Sequence, residues 1–300
     1  MSIPVAGFAT SHTALMIRAQ AEADPRQVAN VLRGLETVRR RLREALPDAL
    51  IVIGSDHGKT FLLDNMPPFC IGIGPECQGW GDAGVPQYTV KVHQDLAGHL
   101  LSAAMDSGFE LAFSKEMRLD HGFMCPLHFI RPEMDIPIVP LFLNSTAAPM
   151  PSLERCYQLG GVLRKAIEQR PQQERVALLA TGGLSHSVPV LDEYLLRSKR
   201  QLDPTMEQKK LAKIREFVDQ GLGRINESFD RGVLEILAQG KYQELAALTA
   251  DQIGSQGGNG AQELRNWVTL LGALPERKAE VLVYEAVAKW LTGIAIVAFH

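Results

Sequence analysis

The 300-residue chain lacks the marks of several protein classes. Its 31 lysines and arginines against 34 acidic residues leave a net charge of −3, which excludes a strongly basic nucleic-acid binder and an acidic tail protein. No apolar run approaches the roughly 20 residues a bilayer needs; the longest lies near Leu291 to Phe299. The N-terminus, MSIPVAGFATSH, has no cationic start followed by a long apolar core, so no secretory signal is expected and a cytoplasmic location follows. Only four cysteines occur, Cys70, Cys77, Cys125 and Cys156, with no C-x-x-C pair and no zinc-ribbon spacing; they suit buried free thiols in a reducing compartment. Internal repeats, low-complexity tracts and linkers are missing, and SQGGNG at Ser255 to Gly260 is too short to separate domains. One domain over residues 1–300 is therefore expected, and 46% hydrophobic with 22% charged residues provides ample apolar mass for its core.

What is present is an alternation of short β-rich runs with longer amphipathic stretches. Ile3 to Ala9, Ala49 to Ile53, Phe69 to Ile73, Leu111 to Phe113, Ile136 to Leu143 and Val176 to Ala180 read as buried strands, with Glu280 to Tyr284 and Ile294 to Phe299 as further candidates. Asp24 before Pro25 reads as an N-cap with proline in the first turn, opening a helix that runs to about Leu46, where Pro47 stops it. Further helices are predicted over Thr89 to Ser107, Ser152 to Gln169, Pro204 to Gly221 and Ala261 to Leu274, and the charged region Arg200 to Leu248 reads as helical without strands. The fold class is α/β, a single compact domain with a central, mostly parallel sheet flanked by helices.

Four of the eight histidines, His12, His57, His121 and His186, follow predicted strands. If those strands run parallel, loops beyond their carboxyl ends bring the imidazoles to one edge of the sheet, where open α/β folds bind ligands. Glycine flanks three of them, in SDHG, LDHG and TGGLSH, where backbone turns tightly or approaches a ligand. Asp56 and Asp120 precede two of the rings and can orient an imidazole. His93 and His99 lie on a predicted helix and His300 is terminal, while His128, seven residues past His121, is a candidate supporting residue. An iron(II) site with open positions uses two histidines and one carboxylate. Glu263 in GNGAQELRNW is the candidate acid, although a glutamate there also suits an ordinary helix start.

Taken in order, SH at Ser11-His12, SDHG, MPPFCIGIG at Met66 to Gly74, LDHGFMCPLHF at Leu119 to Phe129, IPIVPLFLN at Ile136 to Asn144, ATGGLSH and QELRNW resemble the class III extradiol ring-cleavage dioxygenases over most of the chain. The resemblance implies that His12, His57 and Glu263 ligate Fe2+, that His121 and His186 serve as acid and base, and that Asp120 is the aspartate beside the first of these. It also implies a homo-oligomeric α/β enzyme that opens a substituted catechol with O2 beside its two hydroxyls, giving a 2-hydroxymuconic semialdehyde type of product. No nucleic-acid or membrane partner is expected.

Two rival classes fit the same residues. Histidines with a glutamate also suit a zinc hydrolase, and a non-catalytic binding protein would share the scaffold. The substrate stays open between a catechol, a protocatechuate-like acid and an aminophenol. For an acidic side chain, Lys59 and Arg265 are the candidate cations, with His128 beside them as a substrate contact.

Overall fold

The central strands form because their residues are apolar on both faces, the pattern of a parallel strand covered by helices on each side. In the computed structural model, which describes residues 3–187, 206–220, 225–275 and 277–300, β1 (Ile3–Thr10), β2 (Ala49–Gly54), β8 (Ile138–Leu143) and β9 (Arg175–Thr181) make the parallel centre of an eight-stranded sheet. All six residues of β2 and of β8 are buried. Outward from this centre lie β3 (Phe69–Gly72) and β6 (Ala112–Ser114) on one side, β11 (Thr292–Phe299) and β10 (Ala279–Val287) on the other. The order is β10-β11-β1-β9-β2-β8-β3-β6, with antiparallel pairing where β3 meets β8, where β11 meets β1, and between β10 and β11.

Helices cover both faces. On one side run α2 (Pro25–Ala45) and α4 (His121–Ile130); on the other α3 (Gln94–Asp106), α5 (Leu153–Gln169) and α10 (Leu264–Ala273), after a short α1 (Leu15–Arg18). The expected start of α2 is present: Asp24 accepts the Arg26 N–H at 2.7 Å, Pro25 opens the first turn, and Leu46 ends the helix in the left-handed region. The chain between β9 and α10 contributes α6 (Met206–Asp219), α7 (Glu227–Ala238), α8 (Tyr242–Ala246) and α9 (Ala250–Gly257). Parts of the predicted Arg200 to Leu248 region, and both ends of the Pro204 to Gly221 helix, lie outside the described residues. Among the described residues no helix is long and apolar enough to cross a membrane.

Three short strands differ from expectation. β4 (Glu76–Gly79), β5 (Thr89–Lys91) and β7 (Arg118–Leu119) form a separate small sheet, in the order β5-β4-β7. Thr89 to Lys91 had read as the start of a helix; pairing with β4 satisfies its backbone instead, and α3 begins only at Gln94, capped by His93. The strand leading to His121 is thus β7 of the small sheet rather than Leu111 to Phe113. The helix that His121 opens carries buried residues nearly all round, so it shows no amphipathic period.

α5 and α10 cross in close contact because glycines face each other. A Cβ on Gly272 would sit 2.0 Å from the Tyr157 carbonyl oxygen, and one on Gly160 would sit 2.0 Å from that of Thr269. Both obstacles are backbone, which cannot swing aside. Gly272→Ala is expected to cost about 2 kcal/mol or more and to lower Tm by roughly 5 °C. Thermal denaturation checks this, and an unchanged Tm would show that the two helices can separate freely.

Candidate active site

The parallel centre delivers three loops to one place. His12 follows β1 by two residues, His57 follows β2 by three, and β9 leads into the 182–186 loop that ends at His186. α4 delivers His121 from its first turn, and Glu263 ends the short 3-10 turn Gly260–Glu263 that runs into α10. The four histidines, expected at one edge from chain order, and Glu263, expected at a helix start, are brought together. His57 stacks on His121 with ring centroids 4.3 Å apart, and His12 meets them edge-on at 5.3 and 5.9 Å.

Glu263 stands at the centre of the group. Its Oε2 accepts the Gly183 N–H at 2.8 Å and lies 4.0 Å from His186 Nε2. Its Oε1 lies 3.3 Å from His57 Nε2 and 3.6 Å from His12 Nε2, yet it is buried and makes no aligned hydrogen bond among the described residues. A buried carboxylate without such a partner is costly unless a cation takes that place. Burial alone would raise the pKa of Glu263, but the facing His12 and His57 hold it well below the usual carboxylate range. Burial lowers His12 to about 4, leaving it neutral at physiological pH. Burial works against a charge on His57 as well, but Asp120 and then Glu263 outweigh it and hold its pKa well above the ordinary value.

The group fits a metal ion. Two donors each about 2.1 Å from a shared ion, at tetrahedral or octahedral angles, are about 3.0–3.4 Å apart, close to the spacings just given. A second grouping, His12 with His57 and His121, places its donor atoms within 4.8 Å of one another. An ion held by the first set would give the bare Glu263 oxygen a partner, which one held by the second would not. His57 also has the support a ligand needs: its Nδ1 donates to Asp120 Oδ2 at 2.8 Å, which leaves Nε2 free to bind a metal.

Supporting contacts explain the rest. Asp120 caps α4 through the Gly122 N–H and accepts the His57 backbone N–H at 2.7 Å, while it lies 3.7 Å from His121 Nδ1. Its first partner is therefore His57, not the histidine beside it in sequence. His121 takes another carboxylate: its Nδ1 donates to Asp82 Oδ2 at 2.7 Å. Sequence reasoning missed Asp82, which precedes no histidine. Its signal was the turn-rich WGDAGV, where Gly81, Ala83 and Gly84 all have positive φ and hold the carboxylate in place. Asp56 faces its own loop, accepting N–H bonds from Lys59, Thr60 and Phe61; burial, then the Asp120 charge, lifts its pKa to about 7.

The candidate substrate contacts separate. Arg265 is buried, its guanidinium donating to Pro151 O at 2.7 Å and to Gln262 O, so the expectation that it meets a substrate gives way to a role in fastening the α10 start. His128 is directed to the Tyr88 hydroxyl at 2.7 Å, two turns along α4 from His121. Lys59 stays on the loop beside His57.

Three imidazoles on loops after parallel strands, a fourth at the start of α4 and a buried carboxylate make a site of the kind a metal-dependent α/β enzyme uses. The chain belongs to the family described as the catalytic LigB subunit of aromatic ring-opening dioxygenase, whose model matches residues 6–298. It is 32% identical to a 2,3-dihydroxyphenylpropionate/2,3-dihydroxicinnamic acid 1,2-dioxygenase of Photorhabdus laumondii, covering 96% of this chain and 95% of that protein. Its identity to the protein of the same name from Klebsiella pneumoniae is also 32%, over 94% of each. A crystal structure of an uncharacterized protein from Escherichia coli K12 shares the fold, with a TM-score of 0.50 and 16% identity over 88% of this chain and 92% of that one.

Two substitutions probe the geometry. A Cβ on Gly260 would lie 2.0 Å from His186 Nε2. Gly260→Ala is thus expected to keep metal content and cut ring-opening turnover by about 100-fold, since a displacement of this size misplaces a reacting group; normal turnover would show that the ring is free to move. Asp120→Asn removes the negative charge behind His57 and is expected to weaken metal affinity about 10- to 100-fold in a chelator competition, whereas unchanged affinity would remove the Asp120 charge from the support of His57.

Proposed function

We propose that this protein is an Fe2+-dependent extradiol dioxygenase that opens a substituted catechol with O2, placing one oxygen atom on each side of the broken bond. The observation that carries this reading is the bare Glu263 oxygen between His12 Nε2 and His57 Nε2, a two-histidine, one-carboxylate set. Ferrous iron held there supplies coordination positions for both catechol oxygens and for dioxygen. Both oxygen atoms enter the product, so no external reductant is needed.

The chain's own groups manage protons. His186 Nδ1 lies 3.0 Å from Leu184 O, an acceptor only, so that nitrogen carries the hydrogen and Nε2 is the basic atom facing Glu263. His186 thereby serves as the base that takes a catechol proton. His121, held through Nδ1 by Asp82, presents its other nitrogen beside His57 and serves as the acid in the later ring-opening steps. The substrate class is a catechol bearing a carboxylate side chain, as the names of the relatives give for those proteins. Lys59 is the cation we assign to that carboxylate. The whole chain, 1–300, acts as one catalytic domain in a cytoplasmic homo-oligomer. A reducing compartment is supported by the four cysteines, all buried and free, whose thiols burial pushes up to about 12.

Anaerobic iron loading followed by an oxygen-uptake screen over substituted catechols tests metal, reaction and substrate together. Iron with one O2 consumed per catechol supports the assignment; tightly bound zinc with ester or amide hydrolysis overturns it. His57→Ala is expected to lose stoichiometric iron, and full occupancy would refute the ligand role. His186→Ala is expected to keep iron and turn over catechols at least 100-fold more slowly, and near-normal turnover would remove it from the mechanism.

A further inference from the structure

The loop that carries His186 is fastened from outside the parallel sheet. His186 N donates to Gly257 O at 2.9 Å and His186 O accepts from Gly260 N at 3.1 Å, which ties the residue to the end of α9. The residue before it is gripped by Asp230 on α7. Asp230 Oδ1 accepts the Ser185 N–H at 2.7 Å and Oδ2 accepts the Ser185 hydroxyl at 2.8 Å. Tyr284 on β10 donates its phenol to the same Oδ2 at 2.9 Å, and Ser185 Oγ accepts the Asn226 N–H at 2.7 Å. Ser185 O accepts from Gly293 N at 3.0 Å, and the Gly293 carbonyl accepts from Ser11 Oγ, next to His12.

Asp230 and Ser185 are fully buried. A carboxylate at a helix–sheet contact costs more than an apolar side chain would, and this one touches none of the five clustered residues. Two of its three donors belong to the single residue that precedes His186. A base must be held within a few tenths of an ångström of its proton to act. We infer that Asp230 is a positioning residue for ring opening, locking both the N–H and the hydroxyl of Ser185 so that His186 Nε2 keeps facing the site. The inference rests on the proposed role of His186 as base. Nothing in the sequence pairs these residues, which lie 45 positions apart with Asp230 in a charged helical region.

Asp230→Asn, Ser185→Ala and Tyr284→Phe test it in the iron-loaded full-length enzyme. Asp230→Asn and Ser185→Ala are expected to lower kcat roughly 10- to 100-fold, with KM and iron content within about twofold of the parent. Tyr284→Phe keeps the grip on Ser185 and is expected to lose no more than about threefold. A second readout uses the metal-free protein: histidine side-chain 15N NMR should show His186 as one tautomer, hydrogen on Nδ1, in the parent, and as a mixture in Ser185→Ala. Should Asp230→Asn fail to fold, Ser185→Ala carries the same test with the carboxylate in place. Parent-like kcat per iron with a single His186 tautomer in the variants overturns the inference. A parent enzyme that opens no catechol would overturn the proposed function instead, and the NMR result would still decide the positioning.

Discussion

The buried charge of Glu263 constrains everything around it. A carboxylate at 2% exposure needs compensation for its lost hydration, and only part of that comes from the Gly183 N–H on Oε2. The remainder must come from the two imidazoles facing Oε1, or from an ion that all three can share. His12, neutral through burial, and His57, polarised by Asp120, offer their Nε2 atoms to that space. The same arrangement leaves His121 and His186 tied through Nδ1 to Asp82 and Leu184. The four rings thus differ in what sits behind each of them.

Rigid packing makes this separation durable. Asn266 on α10 donates to Ser55 Oγ and to Thr181 O, each at 2.9 Å, and Trp267 donates to Gly182 O at 3.1 Å. These bonds join the helix after Glu263 to the loops after β2 and β9. The glycine-lined crossing with α5 lets α10 approach closely enough to reach them. Sheet, helix and loop therefore fix the carboxylate as one unit.

Much of the fold was legible because parallel strands buried on both faces read as unbroken apolar runs, as in ALIVIG and IVPLFL. The small sheet was not, since ECQG, TVK and RL are too short and polar to show a period. Helix α4 was hidden for the opposite reason, being buried nearly all round. Three of the five clustered residues could be named as glycine-flanked histidines and His12 as a histidine after a strand, while Glu263 stood out from an ordinary helix start only through the family resemblance. Their supports could not be named: Asp82 and Asp230 act across 39 and 45 positions, and only the fold joins them to His121 and Ser185. Arg265 misled because nearness in sequence to Glu263 says nothing about direction, and its guanidinium turns inward to Pro151.

The central question is which side chains bind the metal. Anomalous diffraction at the iron edge from crystals loaded with Fe2+ under anaerobic conditions measures this directly. One iron bonded to His12, His57 and Glu263 is expected, with His121 and His186 unligated; an iron bonded to His121 in place of Glu263 would overturn the proposed ligand set.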